Sequence, residues 1–248
     1  MNFFKTCSTR KSNFSGDFMN FKDITSTQQS HLLKMYSTII VGSMVTVFGV
    51  TSFMNGLFRM TNSFVSMIIG VALMYYIINS SDSNGSVSMT RMGAYLLICF
   101  ILGNGLGPLV LYGNYINPVI VPTALATTCI IFISLSFSAL FTKKRIPFYV
   151  TSLILTTTAY LGLVSFFNIF TRSKFVDTLL SYASVLIYSF YVYYDTQKTL
   201  EAVSFGEKDF LIHSLQLYLD AVNIFSRIAV ILINKHQDDE ENKRKKRY

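Results

Sequence analysis

Asp220 stands near the middle of an apolar run, residues 211–233, and no loop residue is close enough to explain it. A charged side chain at that depth costs roughly 2.5–3.5 kcal/mol on membrane-insertion scales, so it needs a structural or chemical reason. His213, Gln216, Asn223 and Arg227 flank it at steps of three and four residues, and Asn234 continues the series. That spacing places all of them on one helical stripe, with Leu211, Leu215, Leu219, Val222, Phe225 and Ile228 over the remaining surface. A polar stripe cannot face lipid, so this helix belongs inside a bundle. Arg227 or Asn223 could pair with Asp220 as packing glue, although Arg227 lies two turns away, about 10 Å along the axis. Asp195 is the second exception. It ends the run 175–195, behind Ser181, Ser184, Tyr188 and Tyr191, again at steps of three and four. It could cap a short helix over 196–203, since Asp accepts readily from free backbone amides. Alternatively the two stripes face each other. Two adjacent carboxylates cannot both ionise cheaply, so such a pair shares a proton, responds to pH and offers oxygen ligands to a passing Ca²⁺.

The elements that must position these residues follow from composition. The chain has 248 residues, 51% hydrophobic and only 14% charged, with mean hydropathy +0.44. Soluble domains carry roughly a quarter charged residues, so an integral membrane protein is expected, and disordered or disulfide-scaffold classes are excluded. A spanning helix needs about 20 apolar residues. Runs of that kind occupy 32–54, 60–78, 93–114, 119–141, 147–170, 175–195 and 211–233. They predict an all-α bundle of seven helices in one membrane domain, 32–233, between a polar N-terminal segment, 1–31, and a basic tail, 234–248. The first 31 residues lack the apolar core of a signal peptide, which makes the first span an uncleaved anchor.

Charge placement sets orientation. With the N-terminus cytosolic, inner segments hold Lys5, Arg10, Lys11, Lys22, Arg91, Lys143, Lys144, Arg145, Lys198 and Lys208, against Arg59, Arg172 and Lys174 outside. Seven crossings would then leave the basic tail outside, against the same rule, unless 211–233 does not cross fully. The end Lys245-Lys246-Arg247-Tyr248 also fits a dilysine retrieval pattern, which requires a cytosolic tail. The net charge of +8 owes much to the run Lys243–Arg247, so it marks a headgroup-facing tail rather than a nucleic-acid face.

Other features carry less. Gly103 and Gly107 are four apart in an apolar run, which fits close helix packing, with Pro108 kinking the end of that helix. No phosphate loop, hydrolase constellation or paired cysteine spacing is present, and His31, His213 and His236 are too scattered for a metal site. Asn79-Ser80-Ser81 and Asn84-Gly85-Ser86 match glycosylation acceptors, but this orientation puts them in the cytosol. No enzyme chemistry and no resident cofactor are expected.

Four stretches resemble the Bax inhibitor-1 family in order along nearly the whole chain. They are Ile24-Thr25-Ser26-Thr27-Gln28-Gln29; Gly105-Leu106-Gly107-Pro108; Asn117-Pro118 followed by Pro122-Thr123-Ala124; and Tyr194-Asp195-Thr196-Gln197 with Leu217-Tyr218-Leu219-Asp220 and the basic tail. The resemblance implies six helices around a central seventh, residence in the endoplasmic reticulum membrane, a passive pH-sensitive Ca²⁺ leak and suppression of cell death. It places the family's paired aspartates on Asp195 and Asp220. An arginine latch in the second span, known from bacterial members, has no counterpart inside 60–78; Arg59 lies only at its edge.

The leading expectation is therefore a proton-gated Ca²⁺ conduit, with Asp195 and Asp220 as gate and transient Ca²⁺ ligands and His213, Gln216, Asn223, Arg227 and Tyr191 lining the path. The alternatives are a non-conducting interaction protein that acts through Bcl-2-type partners, and an H⁺/Ca²⁺ exchanger. The bilayer is the certain partner in all three; nucleic acid is not, and an oligomer is compatible with each.

Overall fold

A computed structural model describes residues 25–58, 63–80, 87–142 and 148–246. The N-terminal basic residues, Arg59, the glycosylation-like loop beyond Ser80, the 143–145 basic run and the last two residues lie outside these. Seven helices account for the fold, and no strand occurs among the described residues. They are α1 (Ser26–Met54), α2 (Ser63–Asn79), α3 (Met89–Ile116), α4 (Ile120–Phe141), α5 (Phe148–Thr171), α6 (Lys174–Ser204) and α7 (Phe210–Lys245). Six are long and apolar enough to cross a bilayer, and the chain is a multi-pass membrane protein. The exception to the seven expected spans is α2, whose 17 residues reach only about 25 Å.

α1 starts where Gln28 Oε1 accepts from the Thr25 amide (3.0 Å) and hydroxyl (2.7 Å), while Gln28 Nε2 donates to the Leu200 carbonyl (3.2 Å) of α6. α1 and α3 then pack backbone to backbone. Gly103 lies against the Thr46 main chain and Gly49 against the Phe100 carbonyl, where any Cβ would collide. Close approach through small residues is how helices associate without a hydrophobic driving force. α3 runs through Pro108, as the expected span 93–114 did, and continues two turns beyond it to Ile116.

α7 is the axis. Its buried residues include Leu211, Leu215, Leu217, Tyr218, Ile224, Ile228, Ala229 and Ile233, and it touches α1, α3, α4 and α6. α2 rests on α3, and α5 rests on α6; Leu153, Leu163, Phe166 and Phe170 of α5 are exposed, as a lipid-facing helix requires. The two ends of the bundle are distinct. Gln28, His31, Arg91, Leu200 and Asp209 gather at one end. At the other, Gln237 Nε2 donates to Tyr112 Oη (2.6 Å), beside the α3–α4 turn. α7 thus runs the length of the bundle and ends opposite the start of α1.

Two boundaries differ from expectation. α6 does not stop at Asp195; the stretch Thr196–Ser204 is its continuation, with Thr196 Oγ1 donating to the Val192 carbonyl (2.7 Å). Asp195 is therefore no helix cap, because no glycine or proline interrupts the segment. α7 likewise passes 233 and continues to Lys245, where Lys243–Glu240 and Lys245–Glu241 pairs (2.8 Å each) follow helical spacing.

Candidate functional site

Asp220 is buried within α7, 7% exposed, and Asp195 is half-buried on α6. The two carboxyls face each other closely enough for a shared proton to bond them. Two ionised carboxylates offer only acceptors, so a hydrogen bond between these two would need a proton on one of them. Asp220 Oδ2 has no hydrogen-bond partner, which leaves one oxygen of the pair uncommitted. Neither Arg227 nor Asn223 bonds Asp220 among the described residues, so the packing-glue alternative is not how the aspartate is satisfied. The exposed Lys198, one turn beyond Asp195, is the cation that acts on it.

The remaining expected residues divide. His213 is 4% exposed and sits about 10 Å from Asp220 along α7, with Gln216 between them. Gln216, Asn223 and Arg227 are half-buried on α7. Tyr191 is tied to α5 instead, its hydroxyl 3.1 Å from Thr158 Oγ1. Around the axis, Tyr218 bonds the Thr46 hydroxyl and Tyr95 donates to the Thr38 carbonyl (3.1 Å), joining α1, α3 and α7. No group of three or more His, Cys, Asp or Glu side chains able to hold a metal occurs among the described residues. Two carboxylates provide at most four of the six to eight oxygens Ca²⁺ takes.

A second polar layer was not expected. Arg91, counted as a loop charge, is 2% exposed; its Nη2 donates to Asp209 Oδ2 (2.6 Å) and to the Ile77 carbonyl (2.9 Å). Asp209 Oδ1 accepts from the Leu211 amide (3.2 Å) and so caps α7. This one ion pair ties the end of α2, the start of α3 and the start of α7. His31 of α1, far from His213 in sequence, meets it with ring centroids 5.6 Å apart. Both partnerships join residues more than a hundred positions apart, which periodicity along the chain cannot register.

Comparison with known proteins matches residues 28–237 to the family described as inhibitor of apoptosis-promoting Bax1. The chain is 29% identical over 240 residues to Bax inhibitor 1 of Mus musculus, and 28% identical over 240 residues to that of Homo sapiens. Each alignment covers 95% of this chain and 98% of the relative. Bax inhibitor 1 of Arabidopsis thaliana is 26% identical over 222 residues, 89% of this chain and 87% of the relative.

Proposed function

The chain belongs to the Bax inhibitor-1 family, and from that premise we propose that it is a pH-sensitive Ca²⁺ leak pathway of the endoplasmic reticulum membrane and a suppressor of apoptosis. The observation that carries the reading is the meeting of Asp195 and Asp220 inside the bundle. With a proton between them, the carboxyls hold α6 to α7 and present at most one negative charge. Loss of that proton turns attraction into repulsion and exposes two carboxylates to a divalent cation. Proton and Ca²⁺ therefore compete for the same oxygens, and the helices carrying them separate as the proton leaves. The function is transport, with Ca²⁺ as cargo and no catalytic step. The N-terminus is cytosolic on the count of basic residues.

Purified protein in liposomes should pass Ca²⁺ with a rate that changes with pH. Asp195→Asn and Asp220→Asn should each abolish the pH dependence, because an amide neither releases the proton nor carries the charge. Unchanged pH profiles in both variants would remove the gate assignment.

A second reading, a non-conducting partner-binding protein, is favoured by one feature. α7 carries an exposed charged extension to Lys245, a surface suited to Bcl-2-type regulators. Deleting residues 235–248 should then abolish protein binding while leaving flux intact.

A further inference from the structure

The second polar layer lies about 10 Å along α7 from Asp220, and its two imidazoles are not part of the carboxylate pair. His31 is 7% exposed and His213 4%. Their rings meet edge to face (centroids 5.6 Å, interplanar angle 61°), and the Phe210 ring stands 6.4 Å from His31. Three of their four ring nitrogens, His31 Nε2 and His213 Nδ1 and Nε2, make no hydrogen bond of good geometry, although the Gln216 side chain lies close enough to act on His213. Buried polar atoms are nearly always bonded, so three such nitrogens at one helix junction call for a ligand. Among the described residues no third donor completes a metal-binding cluster with them.

We propose that His31 and His213 form a second proton-binding site, which takes one proton for the two rings and answers it by drawing Glu207 onto His213. Burial opposes any charge on these rings, and the charges around the pair decide how many protons it can hold against that cost. Lys34 of α1 and Lys198 of α6 repel a proton there, while Glu207 in the α6–α7 turn and Asp209 at the cap of α7 attract it. Asp209 is already committed to Arg91 of α3. That leaves Glu207 as the available counter-charge for one imidazolium. A second positive ring in edge contact, with two lysines nearby, has none.

Glu207 is placed to respond. Its Oε1 is 3.7 Å from His213 Nε2, beyond hydrogen-bonding distance, and its side chain is 47% exposed. When Nε2 gains a proton, the contact becomes a charge-assisted bond of about 2.8 Å, so the carboxylate must move in by about 1 Å. The preceding residue, Gly206, has φ +94, a conformation glycine adopts without strain, and so sets the path of the turn that carries Glu207. The same turn joins α6, which bears Asp195, to α7, which bears Asp220. This inference goes beyond the conduction reading and does not require it, since neither the proton site nor the turn's movement involves Ca²⁺.

The experiment is a pH titration of the full-length protein in nanodiscs, with ring-labelled histidine observed by NMR. The chain has three histidines, and His236 supplies the reference. His31 and His213 should change together in one transition, with one proton taken up by the pair. His31→Gln should leave His213 titrating at a different midpoint, and Glu207→Gln should weaken proton binding at His213 about tenfold without moving His236. Hydrogen exchange at residues 205–208 should slow on acidification in the wild type and not in Glu207→Gln. Independent titration of the two rings, no titration of either, or a midpoint indifferent to Glu207→Gln would each overturn the site. Glu207 is on a half-exposed turn, so this variant remains informative if His31→Gln does not fold. The conduction reading is judged separately, by the flux of the aspartate variants.

Discussion

The Arg91–Asp209 contact is the residue-scale feature that ties together the end of α2 and the starts of α3 and α7. Both side chains are at most 5% exposed, so each charge has lost its water and depends on the other. Removing one partner of a buried pair strands a charge and costs about 3–5 kcal/mol, whereas replacing both with apolar groups is often close to neutral. Asp209→Asn is the sharper variant, because the amide oxygen can still accept from Leu211 and preserve the cap. We expect it to lower unfolding stability in detergent by about 3 kcal/mol, and Arg91→Met with Asp209→Leu to recover much of that loss. Equal stability of the single variant and the wild type would show that the pair is already solvated. The same contrast explains what sequence could reveal. Asp195 and Asp220 stood out because they interrupt apolar runs. Arg91 and Asp209 did not, because each sits at a helix end among polar neighbours and only the folded chain removes it from water.

At the scale of elements, hydrocarbon length and apolar content located all seven helices, but not where α1 begins or where α6 and α7 stop. α1 extends ahead of its apolar run, and α6 and α7 extend beyond theirs into stretches without a membrane signal, Thr196–Ser204 and Asn234–Lys245. Helix formers and paired charges continue the backbone there, and nothing breaks it. The continuity of α6 matters for the site, since it fixes Asp195 on the face turned to α7. It is testable with proline. If a new helix began after Asp195, proline at position 196 would occupy its first turn and be well tolerated. Inside a continuous helix it clashes with the Val192 carbonyl and removes a backbone bond, costing about 3 kcal/mol or more. Thr196→Pro should therefore destabilise the protein by that amount and abolish the pH response. Thr196→Val, which loses only the hydroxyl bonded to Val192, should keep both largely intact. A stable, pH-responsive proline variant would restore the two-helix description.

For the whole molecule, the decisive relation is between its two ends. The start of α1 lies beside the end of α6, through Gln28 and Leu200, while the end of α7 lies beside the α3–α4 turn, through Gln237 and Tyr112. α7, with 36 residues, is about 54 Å long, more than the roughly 40–45 Å of a bilayer with its headgroups. It has the length to cross and still project its charged last turns into water. If it crosses, the start of α1 and the end of α7 lie on opposite sides of the membrane. A cytosolic N-terminus would put the basic tail in the lumen, out of reach of the coats that read a dilysine signal. A cytosolic tail would instead carry the basic N-terminal segment across, against the charge rule. Both sequence signals cannot be obeyed by this fold. Single cysteines at Ser30 and Asn242, in a background with the native cysteines replaced, decide between them. An impermeant maleimide applied to sealed microsomes should label one position and not the other, and permeabilisation should expose both. Labelling only at position 30 makes the tail's basic residues a lumenal surface and removes retrieval as their role. Labelling only at position 242 makes the tail cytosolic and leaves the N-terminal lysines as the exception. Labelling at both in sealed vesicles would mean that α7 does not cross, and Asp220 would then lose the buried setting on which a shared proton depends.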